Sequence, residues 1–215
     1  VSGDFFSFYP HNDSIYFIIA DVAGKGIHAG MVMAKASTLF EVLSQSKVDP
    51  DEMVLHMNND LNNTKTAGMF VTSIIGENNL ISDEIRWLNA GHQPALVRNN
   101  NGKYNKIESS APPLGVIKQK DKSIYNVNKM KLNGSRFYAF TDGLSESLNK
   151  VGEEIGIEGS IDIIEENYNK DTIKQLDDIT KTVISDSKNQ SLSDDLTVIS
   201  TVSYTHLTLP TKRIV

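Results

Sequence analysis

The sequence predicts an α+β layered sandwich with mainly antiparallel sheets. Its elements are segregated along the chain as two strands, two helices, a run of strands, two helices and a closing strand. Grouping of that kind builds layered sheets, whereas a doubly wound parallel sheet needs strands and helices in alternation. At 215 residues the chain is long enough for one substantial core and fits a single domain better than two.

The first hairpin organises the rest. Residues 5–9 and 15–20 are aromatic and β-branched runs, and His11, Asn12, Asp13 and Ser14 between them are turn material. With Asn12 and Asp13 at the tip, Phe8 pairs with Phe17 and Phe6 with Ile19, and the ladder continues outward to set Asp4 against Asp21. Directly opposed residues share a face with Cβ atoms about 4.5–5.5 Å apart, where like charges are destabilising unless something intervenes. Two carboxylates so placed ask for a cation, and Mg²⁺ or Mn²⁺ suits oxygen donors in a chain that has no cysteine. On Asp4 and Asp21 alone, the ordinary reading of a strand-end aspartate as a solvated turn or helix cap stands beside the metal reading.

Next comes a buried helix over residues 27–44, with apolar residues three and four apart and small residues for close packing. Pro50 with acidic Asp51 and Glu52 starts a second helix that runs to about Leu61. A meander of strands is then expected at 69–75, 84–89, 94–98 and 104–107, with turns at 77–79 and at Asn101-Gly102. Pro112 and Pro113 exclude a central strand, so residues 111–116 form an ordered loop. Strands at 123–127 and 136–140, helices at 161–168 and 172–187, a turn at 193–195 and a strand at 196–201 complete the order.

Composition narrows the function classes. A net charge of -6 and a pI near 5.4, with scattered lysines, argue against a nucleic-acid-binding surface. The absence of cysteine excludes a disulfide framework, a thiol nucleophile and a cysteine zinc site, and fits a cytoplasmic location. No apolar run is long enough for a membrane span, so no membrane contact is expected from this segment.

Two further aspartates sit, like Asp21, where an apolar strand meets a glycine or a turn. Asp142 follows the run 137–140, and Asp194 precedes the apolar residues 196–199. Carboxylates at the ends of distant strands can converge on one point, the arrangement of a two-metal site for phosphoryl displacement, with ions roughly 3.5–4 Å apart.

Seven short motifs lie in register with one family. They are Ser2-Gly3-Asp4-Phe5, the run from Ala20-Asp21 to Gly24-Lys25-Gly26, Met69-Phe70-Val71-Thr72, Asn89-Ala90-Gly91-His92, Pro113-Leu114-Gly115, Thr141-Asp142-Gly143 and Asp194-Asp195-Leu196-Thr197. In order and spacing they resemble the metal-dependent serine/threonine protein phosphatases, in the bacterial branch typified by the sporulation stage II protein E phosphatase. That resemblance implies a four-layer α/β/β/α sandwich with two mainly antiparallel sheets flanked by helices, spanning residues 1–201. It implies two divalent cations, Mn²⁺ or Mg²⁺, with Asp21 bridging both and the Val22 carbonyl ligating the second. Asp4 would hold that second ion partly through water, while Asp142 and Asp194 would complete the shell of the first. Asp195, where relatives carry Asn, is assigned a supporting place. No phosphoenzyme is implied, because water activated by the metals attacks the phosphorus of phosphoserine or phosphothreonine. The two helices after the hairpin correspond to those that such phosphatases use as a regulatory switch. The implied partners are a phosphorylated anti-sigma-factor antagonist and an upstream sensory or regulatory domain. Ala23 departs from the Ser that many relatives carry, and a small residue still permits the turn.

Rival readings are weaker. Gly24-Lys25-Gly26 before a helix resembles a phosphate loop, but Ile27 and His28 follow where the nucleotide motif needs other residues. His92 is read as structural rather than catalytic, Met31 and Met33 as core packing, and Arg86, Arg98 and Arg136 as solvated surface residues. A catalytically inactive phosphatase fold serving as a partner-binding module is the alternative of a different class. The chain opens without a methionine inside a strand, so an upstream continuation is expected. Residues 202–215 are expected to be a non-native tail, because 202–211 match the translation of a common sequencing-library adapter.

Overall fold

The computed structural model describes residues 3–64, 68–168, 171–186 and 195–203. Two antiparallel sheets stack face to face. The first has the order β1-β2-β3-β4-β7, with β1 at Phe5–His11, β2 at Ser14–Val22, β3 at Val71–Asn79, β4 at Glu84–Ala90 and β7 at Asn128–Lys131. In the second, the order is β6-β5-β8-β9, with β5 at Ala95–Arg98, β6 at Tyr104–Ile107, β8 at Arg136–Phe140 and β9 at Val198–Val202. Helices α1 (Ile27–Gln45) and α2 (Pro50–Asn63) follow the first hairpin. A single turn α3 (Asp142–Ser145) follows β8, and α4 (Gly156–Glu166) and α5 (Thr172–Asp186) precede β9. Among the described residues no helix is long and apolar enough to cross a membrane.

Strand alternation sorts the side chains into three apolar layers. Tyr16, Ile18, Ala20 and Val22 of β2 face α1 and α2, packing on Ala29, Ala36, Phe40, Met53 and Met57. Their neighbours Phe17 and Ile19 point the other way and meet Ile74, Trp87, Phe137 and Ile199 between the sheets. Leu96, Tyr138 and Phe140 on the far face of the second sheet pack on Ile164, Ile179 and Val183 of α4 and α5. Three cores between four layers make the expected α/β/β/α sandwich.

The hairpin register agrees with the expectation, pairing Phe6 with Ile19 and Phe8 with Phe17. Asn12 at the tip has φ 51°, a left-handed conformation that Asn tolerates. Residues 77–79 belong to β3 rather than to a turn, because Glu77 pairs with Arg86 and Asn79 with Glu84. The turn falls at 80–83, where Asp83 takes φ 56°. Residues 122–124 form a 3-10 turn capped by Asp121, and the strand expected at 123–127 starts at Asn128. β9 begins at Val198 and takes in Val202, which pairs with Arg136, one residue past the expected boundary. Met31 is 66% exposed, so it does not belong to the core.

Arg98 and Arg136 are also placed differently from the expectation. They are cross-strand partners, and Arg136 is only 5% exposed. The Arg98 guanidinium grips the Glu165 carboxylate through Nε at 2.6 Å and Nη2 at 2.8 Å, and the Tyr104 hydroxyl donates to the same carboxylate at 2.8 Å. Both guanidinium groups lie over the Tyr168 ring, at 3.7 and 4.5 Å from its centroid. Arg136 also donates to the Gln175 side-chain oxygen at 2.8 Å. Arg86 is partly solvated, beside Asp49 and Glu77.

The layer between the sheets hinges on Phe137, whose ring meets Trp87 edge-on at 5.0 Å and Phe17 at 5.8 Å. Phe137→Ala is expected to lower unfolding stability by about 3–5 kcal/mol, read as a shift in the urea midpoint with the slope unchanged.

Candidate active site

The site lies at one end of the sandwich, where strand ends from both sheets meet. β1 and β2 stay paired past the last ladder residues, because the Val22 amide donates to the Gly3 carbonyl at 3.2 Å. Asp4 and Asp21 therefore oppose each other between the pairs Phe5–Ala20 and Gly3–Val22. By alternation with Phe6 and Ile19, both point toward the second sheet. Gly3 explains the glycine at this position: a Cβ there would stand 2.5 Å from Asp21 Oδ1 and 2.5 Å from the Val22 carbonyl oxygen. Those two oxygens thus converge on a cradle that any side chain would fill.

The second sheet delivers Asp142 at the end of β8, as the first residue of α3. Thr141 is tied to the start of β9 by its amide to the Thr197 carbonyl at 3.0 Å and by the Thr197 amide to its hydroxyl at 3.1 Å. A Cβ on Gly143 would overlap the Asp195 carbonyl, so this approach also requires glycine. The Thr197 hydroxyl reaches back to Asp4 Oδ2 at 3.4 Å, linking the two sheets at the mouth.

Asp21 and Asp142 line one small cavity of about 100 Å³, together with Thr72, Gly91, His92 and Gln93. Asp142 is thus brought to Asp21, and Asp4 faces Asp21 across the hairpin. Asp194 lies outside the described residues. Asp195 is exposed, with its backbone against Gly143. Among the described residues, no three carboxylate or imidazole side chains form a metal-holding group by themselves. The oxygens of Asp4, Asp21, Val22 and Asp142 are hard donors, of the type that Mg²⁺ and Mn²⁺ prefer.

Asn89, Gly91 and His92 have definable places. Gly91 has φ 70°, and a Cβ on it would strike Pro113. The Asn89 side chain accepts from the His92 amide and donates to the Gln93 carbonyl, both at 2.9 Å, and so clamps the turn after β4. The turn drives His92 inward to 7% exposure, where Nδ1 lies 2.9 Å from the Thr72 hydroxyl. Burial pushes the imidazole down to about 4, an effect that the Phe140 carbonyl only partly opposes. Lining the cavity is a part that the sequence reading did not give to His92 or Thr72; their adjacency to motif glycines and strand ends was the available signal.

The family described as Stage II sporulation protein E (SpoIIE) matches residues 11–201. The chain belongs to that family. The phosphoserine phosphatase RsbU of Bacillus subtilis (strain 168) is 26% identical over 153 residues, covering 71% of this chain and 45% of RsbU. Among solved structures, the SiaA-PP2C domain of Pseudomonas aeruginosa superposes with a TM-score of 0.80 at 14% identity, covering 94% of this chain and 80% of that one. RsbX, solved in complex with magnesium, has a TM-score of 0.66 at 19% identity, with 93% and 86% covered. Each of the curated relatives is matched over less than half its length. Among the described residues of this SpoIIE-family chain, Gly3, Asp4, Asp21, Asp142 and Thr197 meet at the sandwich mouth.

The low His92 value has a consequence for stability. Between the unfolded value of 6.5 and the folded value of about 4, the unfolded chain takes up a proton that the folded ring refuses. The contribution of the neutral ring is complete above pH 6.5 and falls as pH drops toward 4, by about 3 kcal/mol in all. Urea unfolding at a series of pH values across that window should show this slope, and His92→Gln should flatten it.

Proposed function

We propose that this SpoIIE-family chain is a protein phosphatase domain that removes phosphate from phosphoserine or phosphothreonine on a regulatory protein, using two divalent cations. The observation that carries the reading is the shared cavity of Asp21 and Asp142, which come from different sheets, beside the point where Asp21 Oδ1 and the Val22 carbonyl converge. Support comes from the curated relatives RsbU and RsbP, both called phosphoserine phosphatases, and from the magnesium in RsbX.

In this reading Asp4, Asp21, the Val22 carbonyl, Asp142 and Asp194 would together hold the two cations, Mn²⁺ or Mg²⁺, with Asp21 the residue that both would share. When bound, the cations supply a water acidic enough to attack phosphorus at neutral pH and positive charge against the phosphoryl oxygens. The chain's own residues fix that geometry. Gly3 leaves the space, the Gly3–Val22 hydrogen bond aligns Asp4 with Asp21, and the Thr141–Thr197 pair anchors the loop bearing Asp142. The implied substrate is a phosphorylated anti-sigma-factor antagonist, and the implied location is the cytoplasm. Because the relatives extend well beyond the matched region, a sensory or regulatory domain joined to this one is part of the proposal.

Hydrolysis of p-nitrophenyl phosphate and of a phosphoserine peptide, with and without Mn²⁺, tests the reading. Wild type should be Mn²⁺-dependent, and Asp21→Asn should lose at least about 100-fold, since even outer partners of a metal site cost 10–100-fold. Equal, metal-independent background from both proteins would instead leave a partner-binding module. Gly3→Ala should fold and yet bind Mn²⁺ more weakly in calorimetry, because its methyl enters the cradle.

A further inference from the structure

Thr72 stands opposite Asp21 in the β2–β3 ladder, and its hydroxyl oxygen has two neighbours. It lies 3.4 Å from the Asp21 backbone carbonyl and 2.9 Å from His92 Nδ1. A hydroxyl has one proton to give, and a carbonyl oxygen can only accept. Both contacts close at once in a single arrangement: Thr72 donates to the Asp21 carbonyl, and His92 Nδ1–H donates to Thr72. The remaining ring nitrogen, Nε2, is then bare. It is a buried atom with no hydrogen bond of good geometry, on a ring that lines the same cavity as Asp21 and Asp142, and the Phe140 carbonyl beside the ring is the competing acceptor that a proton on Nε2 would serve.

We propose that His92 and Thr72 are positioning residues, a one-directional relay from Nδ1–H through the Thr72 hydroxyl that fixes the Asp21–Val22 peptide for metal binding. The inference rests on the metal-dependent phosphatase reading and adds to it what sets the angle of two of its ligand atoms. The Asp21–Val22 peptide joins the two residues whose oxygens, Asp21 Oδ1 and the Val22 carbonyl, approach one point. Rotation of that peptide changes ψ of Asp21 and φ of Val22, and with them the direction of the Val22 carbonyl relative to the Asp21 side chain. Clamping by Asn89 and the left-handed Gly91 holds the imidazole end of the relay rigid. Outer partners of this kind typically set 10–100-fold in metal affinity.

Thr72→Val and Thr72→Ser separate hydrogen bonding from packing. Val keeps the shape and the strand preference and loses the hydroxyl, while Ser loses a methyl and keeps it. Calorimetric titration of the full chain with Mn²⁺ should show about 10-fold or greater weakening for Thr72→Val and a near-wild-type value for Thr72→Ser. Phosphoserine-peptide kinetics should show the loss at Thr72→Val offset by higher Mn²⁺. Long-range ¹H–¹⁵N spectra of the unmutated, metal-free protein should show the proton of His92 on Nδ1 and a pyridine-like Nε2. Wild-type affinity in Thr72→Val, a larger loss in Thr72→Ser than in Thr72→Val, or a proton on Nε2 would each overturn the relay. The tautomer measurement decides even where a variant fails to fold. Wild type that neither binds Mn²⁺ nor hydrolyses phosphoserine would remove the phosphatase reading instead, while the tautomer would still report on the relay.

Discussion

Like charges set face to face across antiparallel strands are the constraint on which the arrangement of this molecule depends. Such pairs are destabilising unless a counter-charge is built in, and the described residues hold three of them, of which Arg86 and Lys129 on β4 and β7 are answered by Asp49 and Glu77. Arg98 and Arg136 oppose each other on β5 and β8, and the helical layer answers with the Glu165 carboxylate, the face of Tyr168 and the Gln175 amide. Stacking and a bidentate carboxylate are the interactions that a guanidinium uses best when partly desolvated. Asp4 and Asp21 form the acidic counterpart, placed at the open mouth of the sandwich rather than under a helix. There Asp142 shares a cavity with Asp21, which concentrates negative charge where divalent cations would compensate it. The pair Arg98 and Arg136 is thus sealed as structure, while Asp4 and Asp21 are presented at the mouth.

Much of this was legible because the informative residues are backbone specialists and strand formers. The hairpin register followed from counting outward from Asn12 and Asp13, and with it the opposition of Asp4 to Asp21. The layered α+β class followed from the segregation of elements, and the four-layer order from the resemblance to the phosphatase family. Convergence of Asp142 on Asp21 was an expectation from motif order alone; no periodicity in the sequence specifies that two sheets end at the same level. That level is set by contacts distant in sequence, such as Thr197 to Asp4, separated by 193 residues.

What the sequence hid was of the same distant kind. An arginine at a strand end looks solvated until the strand opposite supplies another arginine and a helix 67 residues away supplies Glu165. The polar run Asn58, Asn59, Asn62 and Asn63 on α2 looks like a solvated helix face. In the fold, Asn58 takes the Gly115 amide at 3.0 Å and gives to the Ile117 carbonyl at 2.9 Å, while Asn59 bonds both backbone groups of Gln119. Asparagine at a helix surface is ambiguous because the same amide serves water or a loop backbone equally well. Here the loop is the one that returns Leu114 to pair with Val71, next to the strand residue opposite Asp21. Met31 was misjudged for a simpler reason: the buried stripe of α1 runs through Ala29, Val32, Ala36, Phe40 and Ser44, and Met31 falls outside it.

The glycines explain why the mouth leaves a clearer trace in the sequence than the layers do. At Gly3 the space belongs to Asp21 Oδ1 and the Val22 carbonyl, at Gly91 to the Pro113 ring, and at Gly143 to the Asp195 carbonyl. Each is a place where two backbone segments, or a backbone and a ligand atom, come closer than any Cβ permits. Such requirements act on one residue and leave a single-letter trace in the sequence. Packing in the layers is spread over many interchangeable apolar side chains and leaves only a period. A site assembled from close backbone approach is therefore both the most legible part of this chain and the part least tolerant of an added methyl group.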